Sequence, residues 1–395
     1  MLVVADRNIV FVKEAFQALG EVRLMRGREM TPAAVRDATL LLVRSITPVN
    51  RALLEGSAVR FVATATVGRD HVDAEYLRDA GVAFAAAPGS NANSVAEYIT
   101  AALLVLALRQ GKPLEGRTIG IVGAGNVGSR VAAKVRALGM RELLNDPPLQ
   151  RATGEAKYRP HEELMDCDFI TLHVPLEKGG PDPTWHMVGA DFLARMRPEA
   201  ALLNSSRGAV VDNGALLEAL RAGRPGAAAL DVWEGEPRIR PALLAKAALA
   251  TPHVAGYSFD GKVAGTEMIY RAACAFLGRK PDWSPARCMP PPLIPEIELQ
   301  PRPAEPEESL REAVLRVCPI ERDDAALRKL AGLPPAEQGP YFDRLRAEYP
   351  VRREFQNTTI RLRPAVCAGF TAGQAGADSA ASVLGGKLKG IGFNV

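Results

Sequence analysis

Short apolar runs punctuate the first part of the chain, at positions 2–5, 40–43, 61–64 and 82–85, and polar stretches of helical length separate them. Strands buried on both faces read as continuous apolar runs, and a parallel connection needs a crossover of about a dozen residues or more. The rhythm therefore predicts a parallel sheet with crossover helices. A long apolar stretch at 94–110 predicts a helix that Gly111, Lys112 and Pro113 terminate. The alternation then restarts, with strands predicted at 118–122, 142–145, 168–173, 200–204 and 227–231 and helical segments between several of them. This second block has the pattern of a doubly wound sheet.

After Thr251 one more loop leads into an apolar helix ending near Gly278, and positions 281–306 then hold 9 prolines in 26 residues. Such density predicts a stiff linker. Beyond it, Leu310, Val314 and Val317 have helical spacing, while Ile360 and Leu362 alternate with Arg361 and Arg363 as in a strand with one exposed face. The expected fold class is α/β, with two doubly wound parallel-sheet domains followed by a small C-terminal α+β domain.

A length of 395 residues suits two or three such domains. With 49 basic and 45 acidic residues there is no domain-scale basic excess of the kind nucleic-acid binders show, although a local anion site is compatible with it. The most apolar helical stretch, 99–108, is about half of the roughly 20 residues a spanning helix needs. The apolar start at 2–5 is cut short by Asp6 and Arg7, so neither membrane insertion nor export is expected. Five cysteines, Cys167, Cys274, Cys288, Cys318 and Cys367, are scattered and never spaced C-x-x-C. No metal site or disulfide framework is expected, and a reducing cytoplasm fits best.

Residues 118–128 read T-I-G-I-V-G-A-G-N-V-G, an apolar strand running into G-x-G-x-x-G at Gly123, Gly125 and Gly128 and then into a helix-compatible run at 129–138. Glycines there permit a tight turn and close approach of a pyrophosphate to the backbone around Asn126 and Val127, while the helix N-terminus supplies N–H groups. Asp146 stands 18 residues past Gly128 at the end of the next predicted strand, where a carboxylate accepts hydrogen bonds from an adenosine ribose. Strand, glycines, helix and acid in this order predict a dinucleotide site. Asp146 favours NAD over NADP, because a carboxylate about 4 Å from a 2′-phosphate costs several kcal/mol at an effective dielectric near 20.

Hydride transfer from a secondary alcohol needs a proton acceptor, a cation for the substrate's anion and a group that tunes the acceptor. Three downstream segments offer these types. N-S-S-R-G-A-V-V-D at 204–212 places Arg207 past a predicted strand, L-D-V-W-E-G-E-P at 230–237 offers Asp231 and Glu236, and T-P-H-V-A-G-Y-S-F-D-G at 251–261 offers His253. Taken singly, an arginine is usually solvated and a lone histidine usually structural, and His71, His161, His173 and His186 are rival proton carriers. Spacing alone does not pair Glu236 with His253, 17 residues on.

In this order the glycine loop and the three segments resemble the D-isomer-specific 2-hydroxyacid dehydrogenase family. V-R-S-I-T-P-V-N at 43–50, A-T-A-T-V-G-R-D-H-V-D at 63–73, A-A-P-G-S-N-A at 86–92, P-H-V-A-G-Y-S-F-D-G-K at 252–262 and a terminal G-F-N extend the likeness to one branch of that family and over essentially the whole chain. The resemblance implies a catalytic triad of Arg207, Glu236 and His253. His253 would be the general acid/base, Glu236 its partner, and Arg207 the residue that binds the substrate carboxylate and polarises the reacting carbonyl. Ser45, Thr66 and Tyr257 would contact substrate. Asp146, Val174, Asp231, Gly256 and the backbone of Ser205, Ser206 and Arg207 would contact NAD. Ser206 stands where a cysteine is frequent, and Val174 where a threonine often precedes the proline, which removes one side-chain hydrogen bond to NAD.

The implied organisation is a substrate domain from 1–93 and 252–280, a Rossmann NAD-binding domain at 94–251, a Pro-rich linker at 281–305 and a C-terminal domain at 306–395 through which the chain forms a homodimer. Arg44, Ser45 and Thr47 follow the predicted strand 40–43, and a guanidinium with two hydroxyls suits a phosphate, so the expected substrate is a small phosphorylated 2-hydroxy acid. Two alternatives remain at this point, a different 2-hydroxyacid dehydrogenase such as one acting on 3-phosphoglycerate, and a binding protein that senses NAD(H) without turnover.

Overall fold

A computed structural model describes residues 1–302, 305–363 and 373–395. Cys367 lies outside the described residues, and the other four cysteines are free thiols, with only Cys288 exposed. Two compact units are formed, Met1–Ala92 with Ser258–Pro291, and Asn93–Tyr257 with Pro292–Val395.

In the first unit β1 (Leu2–Asp6), β2 (Glu21–Met25), β3 (Leu40–Val43), β4 (Phe61–Thr64) and β5 (Ala83–Ala85) make a parallel sheet in the order β2-β1-β3-β4-β5. Alternate residues of β3 face opposite sides. Leu40 and Leu42 pack with Ile269, Tyr270 and Ala273 of the helix Phe259–Phe276, while Leu41 and Val43 pack with Leu53, Leu54 and Leu77. Each such buried leucine contributes about 1.5–3 kcal/mol of transfer free energy. Strand β2 was not expected. As an edge strand it keeps Glu21, Arg23 and Leu24 exposed, so its sequence carries no continuous apolar run.

The second unit holds a six-stranded parallel sheet of β6 (Thr118–Val122), β7 (Arg141–Asn145), β8 (Phe169–Leu172), β9 (Ala201–Asn204), β10 (Ala227–Leu230) and β11 (Leu249–Ala250), ordered β11-β10-β9-β8-β6-β7. The chain winds outward from β6 in both directions, which makes the gap between β6 and β8 the topological switch point. The helix Ala92–Gln110 is long and apolar enough to cross a membrane by composition, yet it is largely buried in this core against Ile119, Ile121 and Leu203.

The stretch expected as a linker contains a strand. Between Pro295 and Pro301, β12 (Glu296–Leu299) alternates polar and apolar residues and pairs in parallel with β13 (Thr359–Leu362), opposing Ile297 to Ile360. The prolines lie outside the ladder, where their missing N–H groups cost nothing. Leu310 and Val314 of the helix Pro306–Val317 and Leu384 and Leu388 of the helix Gly373–Ile391 join the apolar cluster of Leu103 and Val131. The C-terminal segment thus shares one core with the second sheet.

Candidate active site

Strand β6 delivers the glycine loop to the switch point of the second unit. Gly123 adopts φ +87°, and a Cβ there would lie 2.6 Å from the His173 carbonyl oxygen. A Cβ on Gly128 would lie 1.9 Å from the Gly123 carbonyl oxygen, so helix and strand meet backbone to backbone. Gly125 faces open space instead. It precedes the helix Asn126–Ala137 without any side-chain cap, so the first-turn N–H groups at Asn126, Val127 and Gly128 are available to an anion. Val174 packs beside Gly123. Asp146 Oδ2 accepts the Ala124 N–H at 2.9 Å and Oδ1 accepts the Leu149 N–H at 3.0 Å, tying the glycine loop to the end of β7. A carboxylate has about four acceptor sites, so room for ribose hydroxyls remains.

Beyond β9 the side chain of Asn204 shapes the next loop. Its Oδ1 accepts the Ser206 N–H and hydroxyl at 3.0 and 2.8 Å, and its Nδ2 donates to the Arg207 carbonyl at 3.0 Å. Arg207 Nη1 donates to the Ser206 carbonyl at 2.8 Å. Ser205 Oγ is buried and meets no hydrogen-bond partner among the described residues, an orphan that a cofactor oxygen would satisfy. Gly208 lies against the Trp233 backbone so closely that a Cβ would fall 2.0 Å from it, which locks the Arg207 loop to the Glu236 loop.

Glu236 Oε1 accepts the Trp233 N–H at 2.7 Å, and Oε2 accepts from His253 Nδ1 at 2.8 Å. Burial opposes the carboxylate's charge, but the His253 charge and hydrogen bond, the Trp233 N–H and the Arg346 charge outweigh it and hold Glu236 below the usual carboxylate value. His253 itself has φ +58°, a conformation that a non-glycine residue keeps only when its surroundings enforce it. Asp231 does the enforcing. Its carbonyl accepts the His253 N–H at 2.7 Å, Oδ1 accepts from the Thr251 hydroxyl at 2.6 Å and the Val254 N–H at 2.8 Å, and Oδ2 accepts the Ala255 N–H at 2.9 Å. Burial pushes the Asp231 carboxyl up, against the His253 charge and these donors. Because Thr251 donates to Asp231, the Tyr98 hydroxyl donates to Thr251, at 2.8 Å. The same turn continues through Gly256 to Tyr257, whose N–H donates to the Val254 carbonyl.

The rival histidines separate on environment. Burial pushes His173 down to about 3, leaving it neutral at physiological pH, and its Nε2 bonds Thr171. His161 sits beside Glu162 and is half in water. His186 Nε2 meets Glu234 Oε1 at 2.7 Å, a second histidine–carboxylate pair, but its ring stacks on the exposed Trp185 rather than following a strand end as His253 follows β11.

In the first unit Arg44 and Ser45 follow the carboxyl end of β3, beside the switch point between β1 and β3. Thr47, expected with them around a phosphate, is turned inward instead: it is 1 % exposed and donates to the Gly27 carbonyl. Thr66 Oγ1 donates to the Gly68 carbonyl at 2.9 Å, which makes it the acceptor of the Thr64 hydroxyl at 2.7 Å, and Thr64 in turn accepts from His71 Nε2 at 3.1 Å. Lys262 was not singled out from sequence. Burial and the nearby Arg44 charge push its ammonium down to about 8. It lies in the first turn of the helix that Ser258 caps, and a cation at a helix N-terminus opposes the dipole, which is the signal that marks it.

Residues 104–255 match the family model described as D-isomer specific 2-hydroxyacid dehydrogenase, NAD binding domain, and residues 288–369 match a domain of unknown function, DUF3410. Over 367 residues, covering 91 % of this chain and 93 % of the relative, the sequence is 50 % identical to the erythronate-4-phosphate dehydrogenase of Salinibacter ruber. It is 46 % identical to that of Cronobacter sakazakii over 100 % of this chain and 98 % of the relative. The chain belongs to the D-isomer-specific 2-hydroxyacid dehydrogenase family. A D-lactate dehydrogenase from Aquifex aeolicus, solved with NAD and lactic acid, is 25 % identical with a TM-score of 0.59, covering 70 % of this chain and 96 % of its own. The TT0316 protein of Thermus thermophilus is 27 % identical with a TM-score of 0.60 and covers 71 % of this chain and 99 % of its own. As a member of this family the protein is an NAD-dependent oxidoreductase, and its open Gly125, uncapped helix and orphan Ser205 hydroxyl fit that cofactor.

Proposed function

We propose that the protein oxidises the C2 hydroxyl of 4-phospho-D-erythronate to the 2-oxo acid (3R)-3-hydroxy-2-oxo-4-phosphooxybutanoate, a step of pyridoxal phosphate biosynthesis. The observation that carries this reading is the His253–Glu236 pair at 2.8 Å, with Arg207 on the loop locked beside it. Glu236 keeps His253 Nδ1 protonated, which leaves Nε2 to take the substrate's hydroxyl proton. Arg207 holds the carboxylate and stabilises the oxygen as negative charge develops on it. Bound NAD would supply the hydride acceptor for C2. Gly123, Gly125, Asn126, Val127 and Gly128 would hold its pyrophosphate and Asp146 its ribose, and the loop from Ser205 to Arg207 with Val174, Asp231 and Gly256 would hold its nicotinamide end.

Substrate choice beyond the triad rests on the phosphate. Arg44, Lys262 and Ser45 supply two cations and a hydroxyl for it, and the names of the 44–50 % identical relatives favour the same acid. Thr66 and Tyr257 complete the substrate contacts. In this reading the protein works in the cytoplasm as a homodimer formed through its C-terminal segment. NADH release is to be followed with 4-phospho-D-erythronate, D-erythronate and 3-phosphoglycerate, with a 2-oxo acid added to re-oxidise held cofactor. Turnover highest with 4-phospho-D-erythronate is expected. Preference for 3-phosphoglycerate, or binding of NADH without turnover of any acid, overturns the assignment, and light scattering reads the dimer.

A further inference from the structure

Three side chains of the C-terminal segment converge on Tyr257. Arg352 Nε donates to the Tyr257 carbonyl at 3.3 Å, the Tyr349 ring meets the Tyr257 ring edge-on with centroids 5.7 Å apart, and the Arg346 guanidinium stands 5.7 Å from the centre of the same ring. Arg352 and Tyr349 are anchored by further hydrogen bonds, and Arg346 sits on a packed helix. Arg352 is anchored by Nη1 donating to Glu97 Oε2 at 2.6 Å and Nη2 donating to the Ser94 carbonyl at 3.4 Å, both on the buried helix Ala92–Gln110. Tyr349 donates its hydroxyl to Asp323 Oδ2 at 2.9 Å. Arg346 comes from the helix Pro335–Ala347, whose Phe342 packs in one cluster with Trp233 and whose Gly339 lies against Pro237, the residue after Glu236.

Tyr257 is four residues past His253 on the turn that Asp231 holds, and a grip on Tyr257 is therefore a grip on the end of the catalytic turn. We infer that Arg346, Tyr349 and Arg352 are positioning residues for Tyr257, so that the C-terminal segment acts on substrate binding within its own chain and not only through association. A cation above a tyrosine ring fixes the ring's plane, and an edge-on neighbour fixes its rotation. Arg346 Nε is buried and meets no hydrogen-bond partner among the described residues, so ring and charge contacts account for its placement. Its charge also helps keep Glu236, the hydrogen-bond partner of His253, ionised.

This inference rests on the reading that Tyr257 contacts substrate, and the experiment separates the two. Tyr257→Phe, Arg346→Ala, Arg346→Lys and Arg346→Ala in a Tyr257→Leu background are to be assayed with the phosphorylated acid for KM and kcat, and separately for NADH affinity and native mass. Arg346 is half-exposed, which makes it a safer change than Arg352. We expect Tyr257→Phe to raise KM and Arg346→Ala to raise it about 3- to 10-fold, the range of a single cation–π contact. NADH affinity and native mass should not change, Arg346→Lys should recover most of the loss, and Arg346→Ala should add nothing once the Tyr257 ring is gone. An unchanged KM in Arg346→Ala alongside a raised KM in Tyr257→Phe overturns the inference and leaves Tyr257 its role. An unchanged KM in Tyr257→Phe overturns the reading of Tyr257 and the inference with it. A loss that follows a fall in native mass also overturns it, because association would then be the cause.

Discussion

Glu236 joins His253 to the backbone of its own loop, accepting from His253 Nδ1 at 2.8 Å with one oxygen and from the Trp233 N–H at 2.7 Å with the other. An acceptor contact at each oxygen restrains rotation of the carboxylate, so the imidazole it holds is restrained in tautomer and plane. A glutamine there presents one oxygen and one NH2, and it cannot accept at both ends. Glu236→Gln should lower kcat by about 100-fold and His253→Ala by about 100- to 10,000-fold, with NADH affinity nearly intact in both. Stopped-flow turnover with fluorescence titration of NADH checks this. Activity of His253→Ala within a few-fold of wild type would return the proton to another histidine.

The same carboxylate links stability to pH. Its folded-state pKa lies below the ordinary value near 4.3, so the stability it contributes is present above that value and is lost as pH falls through the lower folded one. Thermal melts from about pH 6 down to pH 3 should show a smaller acid loss in Glu236→Gln than in wild type. Parallel curves would mean that Glu236 is no better stabilised folded than unfolded.

Asp146 divides its oxygens between Ala124 and Leu149, so it fixes the glycine loop as well as being the residue proposed to take the ribose. Asp146→Ala should weaken NAD binding and improve the relative use of NADP, because the repulsion toward a 2′-phosphate disappears with the carboxylate. Ratios of kcat/KM for the two cofactors test it, and an unaltered ratio would leave Asp146 a loop anchor only.

What the sequence discloses follows burial. Residues 40–43 and 61–64 are readable as strands to the residue because both faces of β3 and β4 are covered. Strand β2, half exposed at an edge, and β12, flanked by prolines, leave no such run. At the site, motif order exposes Arg207, Glu236 and His253, but their pairing depends on where the loops after β9, β10 and β11 converge, which spacing does not encode. Thr47 shows the limit on hydroxyls, since a turn threonine donates inward or outward with the same sequence around it. The grip of Arg346, Tyr349 and Arg352 on Tyr257 spans some 90 residues and has no local signature at all.

Lys262 supplies the sharpest test of the phosphate. Burial and the Arg44 charge hold its ammonium at about 8 in the free protein, so below that pH it is a second cation beside Arg44 and above it a neutral amine. A phosphate monoester is already close to dianionic there, its second pKa being near 6. With the phosphorylated acid as substrate, KM should therefore rise as pH climbs through about 8, by up to the one to two decades that a charge-assisted hydrogen bond of about 1.5–3 kcal/mol represents. D-Erythronate, which lacks the phosphate, should show no such step. Lys262→Met should abolish the step and leave KM high at every pH. Arg44→Ala should raise KM overall and move the step to higher pH, because removing a neighbouring cation lets Lys262 keep its proton longer. Measuring KM for both acids in wild type and the two variants between about pH 7 and 9.5, at saturating NAD, decides the matter. A step of equal size for both acids would place Lys262 at the carboxylate end of the substrate, and no step for either would remove Lys262 from the phosphate site.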